Sequence, residues 1–401
     1  MNILTKKINL IVLVILYCIP LSCVATNQQP IASIETRKIT PPKLEEQYIK
    51  KRVRCYRPMR RGSPAMYLEK RDHKIIIHNY GHGGCGLTLA PGAAKYVIDL
   101  LENEIGTTAK NDAIAVLGGG VIGLFTALEL IDRGFSNITI IAAKFDNLTS
   151  NNAGGLLAPA SMDNHPSMQS LIDKIGVDAY TYYKKIALNQ HPTLKKGAKI
   201  MPTYFGTRET STLEPYVKAG VMQPAKDVLL DFKNGTQRQM IAYDDGIFMD
   251  ADELMFELKN ALKNRVTFKK QAINNLTAIK QNIIINCTGM GAKELNNDPQ
   301  MVSVQGHLIL LKNQNPADVN YMLSVYVPGG VTSSGATIKR KCSIFPKMEL
   351  GSTPTDIGVI GGTFIEGATD ATPNSEQFAV ELTNAREFFG IAKSDPSFTY
   401  N

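Results

Sequence analysis

Cysteine is scarce in this sequence, and its cysteines lie far apart. The 401-residue chain has six, and none of them forms a C-x-x-C pair. Zinc sites need closely spaced ligands, and a disulfide-stapled fold needs a regular cysteine framework. The sequence therefore predicts neither a metal site nor a disulfide framework. The cysteines beyond the N-terminal segment are Cys55, Cys85, Cys287 and Cys342.

Long apolar runs are also rare, and the main one lies at the N-terminus. Two lysines precede the apolar residues 8–21, and small residues follow up to Ala25. This order is typical of a secretory signal peptide cleaved after Ala25. A transmembrane helix needs about 20 apolar residues. We therefore expect an exported protein, periplasmic or secreted, without a stable membrane span in the mature chain; a lipid anchor at Cys23 is the alternative.

The sequence has no repeat, no low-complexity tract and no nucleic-acid motif. The formal net charge is +8, and the basic residues are spread along the chain except for a run over residues 50–61. Nucleic-acid binding would need stacking aromatics or a recognisable fold motif beside that run. The charge instead favours solubility or a preference for anions, so we expect no nucleic-acid partner. The length allows one large or two medium domains.

A glycine-rich turn in mid-chain, AIAVLGGGVIG at residues 113–123, follows a short apolar run. Residues 113–117 are predicted to form a strand, a helix is predicted to run to Arg133, and 137–142 (NITIIA) supply the second strand of a βαβ unit. Such a turn presents a helix N-terminus to a bound pyrophosphate. The alternative is a glycine turn in some other α/β domain.

The three glycines have separate tasks in such a turn. Gly118 allows the tight turn, Gly120 lets the backbone approach the phosphates, and Gly123 lets the helix pack closely on the strand. The backbone of Val121 and Ile122 opens the helix beside them. These five residues are the first candidates for binding a dinucleotide.

Six segments together resemble the D-amino-acid oxidase and D-aspartate oxidase family of flavoenzymes. They are AVLGGGVIGLFTALEL, SNNAGGLLAP, INCTGMGAKEL, VIGGTF, RPMRRG and HNYGHGGCGLT. The resemblance implies an α/β fold, with a Rossmann-like FAD-binding domain and a mixed-sheet α+β substrate domain. It also implies FAD-dependent oxidation of a D-amino acid to a 2-oxo acid, ammonia and hydrogen peroxide. Hydride would pass to the flavin, and O₂ would be the acceptor. A homodimer is left open.

The order of these segments differs from that of the family. The family has the arginine strand and the HNYGHGG loop near its C-terminal end, whereas here both precede the glycine turn. The chain therefore resembles a circular permutant joined through residues 106–112, which is tolerated where chain ends lie close together. The alternative is an artefact of the gene model.

The predicted domain organisation follows from this order. Residues 1–25 form the signal peptide and 26–50 a flexible lead-in. The FAD-binding domain takes 51–160 and 246–298, and the substrate domain takes 161–245 and 299–401.

Arg57 is the candidate for binding the substrate carboxylate. A guanidinium gives a bidentate partner that is always charged. If residues 53–57 form a strand, Arg57 shares a face with Val53 and Cys55. The alternative is a surface arginine in a basic run. The resemblance also implies that the Gly84 carbonyl faces the substrate amine. His82 is either a general base or a loop-stabilising residue, and the family needs no dedicated base.

The resemblance implies further flavin contacts in three segments. The glycines of the first of these let the backbone come close to the flavin ring. The residues are Gly83, Cys85, Gly86, Leu87 and Thr88 in the GHGGCGLT loop, Thr149, Gly155 and Leu156 in the next segment, and Thr288 and Gly289 near the phosphates.

The sequence departs from the family at two important positions. Ala143 stands where an acid would hold the ribose, with Asp146 as a weak substitute. Ser343 stands where an active-site tyrosine is expected. Residues 326–341 are predicted to form an enlarged loop that could be a lid, and Tyr321 or Tyr326 could supply a hydroxyl from it. Both tyrosines could equally be structural.

Two questions of function stay open at this point. An acidic substrate such as D-aspartate needs a second cation, for which Arg54, Lys339 and Arg340 are candidates. The rival functions are a related flavin oxidase or dehydrogenase of glycine or a secondary amine, and a degenerate, non-catalytic flavin-binding protein.

Overall fold

A computed structural model describes residues 34–106, 110–159, 161–209, 211–392 and 399–400. The predicted signal peptide, 1–25, lies outside the described residues. No helix within the described ranges is both long enough and apolar enough to cross a membrane.

Strands and helices alternate irregularly along the chain. The strands are β1 (Glu35–Lys38), β2 (Ile49–Arg60), β3 (Ala65–Arg71), β4 (Lys74–Tyr80), β5 (Ile114–Leu117), β6 (Ile138–Ala142), β7 (Ala198–Ile200), β8 (Thr203–Phe205), β9 (Lys226–Asp231), β10 (Gln237–Tyr243), β11 (Ile247–Met249), β12 (Thr267–Lys270), β13 (Ile283–Asn286), β14 (Met301–Leu311), β15 (Met322–Val331), β16 (Thr337–Met348) and β17 (Ile357–Glu366). The helices are α1 (Gly86–Ile105), α2 (Val121–Asp132), α3 (Gln169–Ala187), α4 (Glu214–Lys218), α5 (Ala251–Leu262), α6 (Ala292–Leu295) and α7 (Gln377–Phe388).

The first sheet has the order β12-β6-β5-β13-β4-β3, and all its strands except β3 run parallel to their neighbours. Parallel neighbours need a crossover, which α2 supplies between β5 and β6. On one face of this sheet the apolar side chains form a core with α1, α2 and α3, and those on the other face form a second, smaller core. The predicted βαβ unit is therefore present, with its boundaries within a residue or two of the prediction.

The apolar spacing at positions 94, 97, 98 and 101 predicts a helix that begins at Ala93. Helix α1 instead begins at Gly86, and it contains Pro91. A proline inside a helix cannot donate to the carbonyl four residues before it. That carbonyl belongs to Leu87, and it accepts a hydrogen bond from the Tyr183 hydroxyl at 2.6 Å instead. A tertiary contact thus satisfies the group that Pro91 leaves free, which sequence reasoning could not foresee.

The second sheet has the order β1-β9-β10-β8-β15-β16-β17-β14-β2 within the described residues. Helix α7 packs against β14, β16 and β17. Alternate residues of β15 and β16 form a core with α7, for example Val325, Cys342 and Ile344. Because side chains alternate across a strand, Ser324 and Ser343 face away from α7, where they line a cavity.

Two segments differ from their predictions. The described part of the predicted flexible lead-in, 26–50, is ordered: β1 pairs in parallel with β9, and Leu44 and Ile49 are buried in the core of the second sheet. The predicted loop over 326–341 is the end of a β15–β16 hairpin. The strand register shifts between Val327 and Gly330, so the glycines lie in a β-bulge and do not interrupt the hairpin.

The arginine strand, β2, lies within the predicted FAD-binding segment 51–160, yet it pairs with β14 at the edge of the second sheet. This pairing brings Arg57 opposite Val304.

Candidate active site

A cavity of about 560 Å³ runs from the carboxyl ends of β5, β6 and β13 to the inner face of the second sheet. The carboxyl ends of parallel strands are where α/β folds bind their ligands. The cavity therefore connects the glycine turn with Arg57.

The glycine turn forms the first end of the cavity, which we call the nucleotide end. Gly118 has a φ of +114°, and a Cβ at Gly123 would lie 2.0 Å from the Gly118 carbonyl oxygen. Glycine is therefore required at both positions, the first for the turn and the second for packing. At the N-terminus of α2, the Val121 N–H donates to Ser150 Oγ at 3.1 Å.

Glycines also give the cavity its room. A Cβ at Gly120 would meet nothing closer than Ser150 Oγ at 3.4 Å, and one at Gly86 nothing closer than His82 Cβ at 3.9 Å. Since both residues line the cavity, a side chain at either position would take up cavity space. This cradle suits a dinucleotide whose phosphates meet the N-terminus of α2.

Most of the predicted cofactor residues lie along this cavity. Those that line it are Gly118, Gly120, Val121, Ile122, Thr149, Gly155, Leu156, Thr288, Gly289, Gly83, Gly86, Leu87 and Thr88. Gly123 and Cys85 do not line it. Gly123 is packed beneath the turn, and the Cys85 side chain is buried, where its Sγ accepts a hydrogen bond from the Ser161 N–H at 3.3 Å. Burial raises the pKa of the Cys85 thiol to about 11, so it is a neutral packing group.

The end of β6 carries no acid at the cavity. Ala142, Ala143 and Lys144 line it there. Asp146 points elsewhere: its exposed carboxylate forms an ion pair with Lys259 Nζ at 2.7 Å. Asp146 therefore does not replace the missing acid. None of the described residues that line the cavity is aspartate or glutamate.

The loop after β4 brings Gly84 and His82 to the cavity. The Gly84 N–H donates to the Ser161 carbonyl at 2.8 Å. Burial lowers the pKa of His82 to about 4, so the imidazole is neutral near pH 7. A base with so low a pKa is poorly matched to proton abstraction near pH 7. His82 also caps the loop through its carbonyl, which accepts from the Cys85 N–H at 2.9 Å.

Arg57 lies at the other end of the cavity, which we call the substrate end. Its Nη1 donates to the Thr363 carbonyl at 2.9 Å, and its Cζ lies 4.4 Å from the centre of the Phe364 ring. A Cβ at Gly306 would lie 2.6 Å from both terminal nitrogens of Arg57. The glycine therefore makes room for the guanidinium. Arg57 forms no ion pair with the acidic side chains of the described residues.

Two hydroxyls take the place where a tyrosine was expected. Ser343 Oγ lies 3.0 Å from Ser324 Oγ across the β15–β16 pair, and both line the cavity. Tyr326 does not line this cavity: it is 45% exposed, and it borders a separate polar cavity of about 320 Å³. Tyr321 is buried in the core on the α7 side of the sheet. The structure thus brings Arg57 and Gly84 together at the substrate end but leaves Tyr326 outside it.

Sequence reasoning missed Lys341, which lines the substrate end and is 5% exposed. Its Nζ lies 4.4 Å from the centre of the Tyr326 ring on the neighbouring strand. Lys341 was missed because residues 326–341 were predicted to form a loop, in which side-chain direction cannot be inferred. Assigning a strand to 337–348 would have placed Lys341 on the same face as Ser343, because their side chains are two residues apart.

The fold and the cavity define a dinucleotide-binding α/β enzyme with a cationic substrate end. A family model described as FAD dependent oxidoreductase (DAO) matches residues 113–400. The chain therefore belongs to this family of FAD-dependent oxidoreductases, and its cofactor is FAD.

The chain is similar to several known oxidases. A D-amino-acid oxidase of Dictyostelium discoideum is 27% identical over 215 residues, which cover 51% of this chain and 59% of that protein. A D-amino-acid oxidase of Streptomyces coelicolor is 23% identical over 58% of this chain and 68% of that protein. Among solved structures, the glycine oxidase of Bacillus cereus is 14% identical over 69% of this chain and 77% of that chain, with a TM-score of 0.47.

The family match begins at residue 113 and so does not include the arginine strand or the HNYGHGG loop. The chain spans less than two thirds of the Dictyostelium relative. The circular permutation stays a prediction.

Proposed function

We propose that this protein catalyses the oxidative deamination of D-amino acids to 2-oxo acids, ammonia and hydrogen peroxide. The observation that carries the proposal is Arg57: a cation without an acidic partner among the described residues, held beside the glycine loop at one end of the FAD cavity. Arg57 is partly buried, and a partly buried cation without a counterion favours an anionic ligand. A substrate carboxylate supplies that anion.

The residues of the substrate end bind and orient the amino acid. Arg57 binds the α-carboxylate through the guanidinium N–H groups that Thr363 does not use. The Gly84 carbonyl accepts a hydrogen bond from the substrate amine in this proposal. The Phe364 ring packs on the guanidinium and limits its movement. Bound FAD supplies the redox chemistry, and the protein contributes position and electrostatics.

The test uses the FAD-loaded protein and the variant Arg57→Met. We expect the variant to keep its flavin and to lose at least about a hundredfold in kcat/KM for D-amino acids, because a charged hydrogen-bonded contact is removed. Peroxide release reports the rate, and visible absorbance reports the flavin content. Arg54→Met is the control, because Arg54 is exposed on the same strand. Unchanged kinetics in Arg57→Met would contradict the proposal.

The same assay separates the rival functions. Oxidation of glycine or a secondary amine, with D-amino acids inert, would establish the related amine oxidase or dehydrogenase. A protein that takes up FAD but oxidises none of these compounds would be the degenerate flavin-binding protein.

We also propose that the protein is exported after cleavage at Ala25. The order of basic, apolar and small residues over 1–25 supports this. N-terminal sequencing of the mature protein after cell fractionation tests it. A periplasmic or secreted protein starting at residue 26 is expected, and an uncleaved cytoplasmic chain would contradict it.

A further inference from the structure

The substrate end of the cavity contains a second cation, Lys341. It lies on β16 opposite Tyr326 of β15, with Nζ packed over the tyrosine ring at 4.4 Å. The residue is 5% exposed, and it forms no ion pair with the acidic side chains of the described residues. A buried ammonium without an anionic partner is costly. Lys341 is therefore a second place where a bound anion is favoured.

The charge of the whole cavity lining has one sign. The charged side chains among its described residues are Arg57, Lys144 and Lys341, and none is acidic. Lys144 lies at the nucleotide end, two residues after the end of β6. Arg57 and Lys341 both belong to the substrate end. A monocarboxylate substrate bound to Arg57 would leave Lys341 without a counterion.

The positive charges of Arg57 and Lys341 both influence the glycine loop around Cys85. Burial dominates the raised pKa of the Cys85 thiol, and the positive charges of Lys341 and Arg57 both oppose that rise. Cys85 adjoins Gly84 in the glycine loop. Both charges therefore reach the loop that is expected to face the substrate amine.

The cations considered from the sequence do not fill this role. Arg54 and Lys339 are exposed and do not line the cavity. Arg340 is buried on the opposite side of β16, where its Nη2 donates to Gln377 Oε1 at 2.7 Å. Among the described residues of β16, Lys341 is the one cation that lines the cavity.

We propose that Lys341 binds a second carboxylate, and that the substrates are acidic D-amino acids. This inference rests on the proposed function, with Arg57 bound to the α-carboxylate and Lys341 to the side-chain carboxylate. Ser343 lies on the same face of β16 and lines the same end, so its hydroxyl is available to the bound ligand. D-Aspartate and D-glutamate have the required two carboxylates.

The kinetic test compares D-aspartate with D-asparagine, which has the same shape without the second charge. The FAD-loaded protein is expected to prefer D-aspartate. Lys341→Met should lower kcat/KM for D-aspartate by about 10- to 100-fold, and that for D-asparagine or D-alanine little. Lys341→Arg should keep the preference. Lys339→Met is the matched control, since it removes the same charge from an exposed position of the same strand. An equal loss on both substrates would overturn the proposal.

A binding measurement separates this inference from the proposed function. Calorimetric titration of the FAD-loaded protein with malonate, a dicarboxylate that cannot be deaminated, needs no turnover. We expect malonate to bind much more tightly than acetate, and Lys341→Met to remove most of the difference. Malonate binding that does not change in Lys341→Met would overturn the role of Lys341. If the protein oxidises no D-amino acid but shows the expected malonate result, the proposed function fails while the dicarboxylate site stands.

Discussion

The two ends of the cavity are built in different ways. The nucleotide end is centred on one continuous stretch of backbone and small residues, the turn between β5 and α2. The substrate end is made of side chains from strands far apart in the chain, with Arg57 on β2 and Lys341 on β16. At the first end, geometry depends on the absence of side chains. At the second, it depends on two cations and on a pair of serines.

Because the two ends are built differently, substitutions at each end should affect different properties of the protein. A change at the nucleotide end alters packing and cofactor binding together, because the same glycines serve both. We expect a change at the substrate end to alter recognition while the fold and the cofactor remain. The predictions below test this separation, beginning with the largest effect.

The largest effect is expected from Gly123→Ala. The new Cβ would lie 2.0 Å from the Gly118 carbonyl oxygen, so α2 cannot keep its place on the turn. We expect a loss of about 3 kcal/mol or more in the free energy of unfolding, and little bound FAD. Chemical denaturation and the visible absorbance of the purified protein measure the two effects.

Gly120→Ala is the matched control for that variant, because its Cβ meets nothing closer than 3.4 Å. It should leave stability nearly unchanged and weaken FAD binding alone. Equal destabilisation by both substitutions would contradict the view that Gly123 serves packing and Gly120 serves cofactor binding.

The next effect is expected from Gly306→Ala at the substrate end. Its Cβ would lie 2.6 Å from the terminal nitrogens of Arg57 and must displace the guanidinium. A misplacement of about 1 Å can reduce kcat/KM by about 100-fold. Steady-state peroxide assays measure the loss. Flavin content should stay at the wild-type level; a flavin-free variant would show that the two ends are not separable.

A smaller, pH-dependent effect is expected from Glu381→Gln. Glu381 lies on α7 behind the substrate end, and its carboxylate oxygens have no hydrogen-bond partner among the described residues. Burial raises its pKa from 4.5 to about 8, against the opposing charges of Arg340 and Arg57. The folded protein therefore holds a proton that the unfolded chain releases above pH 4.5. This group weakens the fold progressively as the pH rises from 4.5 to 8.

Unfolding by urea at pH 5 and at pH 8 measures this dependence. Glu381→Gln should gain stability relative to the wild type at pH 8 and much less at pH 5. Glu387→Gln, at a partly buried position of the same helix, is the control. An identical pH dependence in wild type and Glu381→Gln would show that Glu381 does not hold the proton.

The smallest effect is expected from Ser343→Ala. It removes the hydrogen bond to Ser324 and leaves that hydroxyl with one partner fewer, which costs about 1 kcal/mol. Thermal unfolding should report this modest loss, with kcat/KM lowered by no more than about tenfold. A loss as large as that of Gly306→Ala would give Ser343 a catalytic role.

The sequence predicted the nucleotide end well because its structure is local. The strand, glycine turn and helix follow one another, and each signal lies within a few residues of the next. The substrate end was only partly predictable. A short motif was enough to propose Arg57, which lines the cavity, whereas Lys341 depends on a hairpin whose glycines suggested a loop. The start of α1 was missed because a distant tyrosine hydroxyl satisfies the carbonyl that Pro91 cannot bond.

We propose above that this FAD-dependent enzyme oxidises D-amino acids. The most direct test of this proposal mixes the purified FAD-loaded protein with D-aspartate, D-alanine and their L-enantiomers in the absence of oxygen, and follows the visible absorbance of the flavin. We expect the D-enantiomers to bleach the flavin, with D-aspartate the more effective, and the L-enantiomers to leave it oxidised. A flavin that stays oxidised with both D-amino acids, or that responds equally to the L-enantiomers, would contradict the proposal.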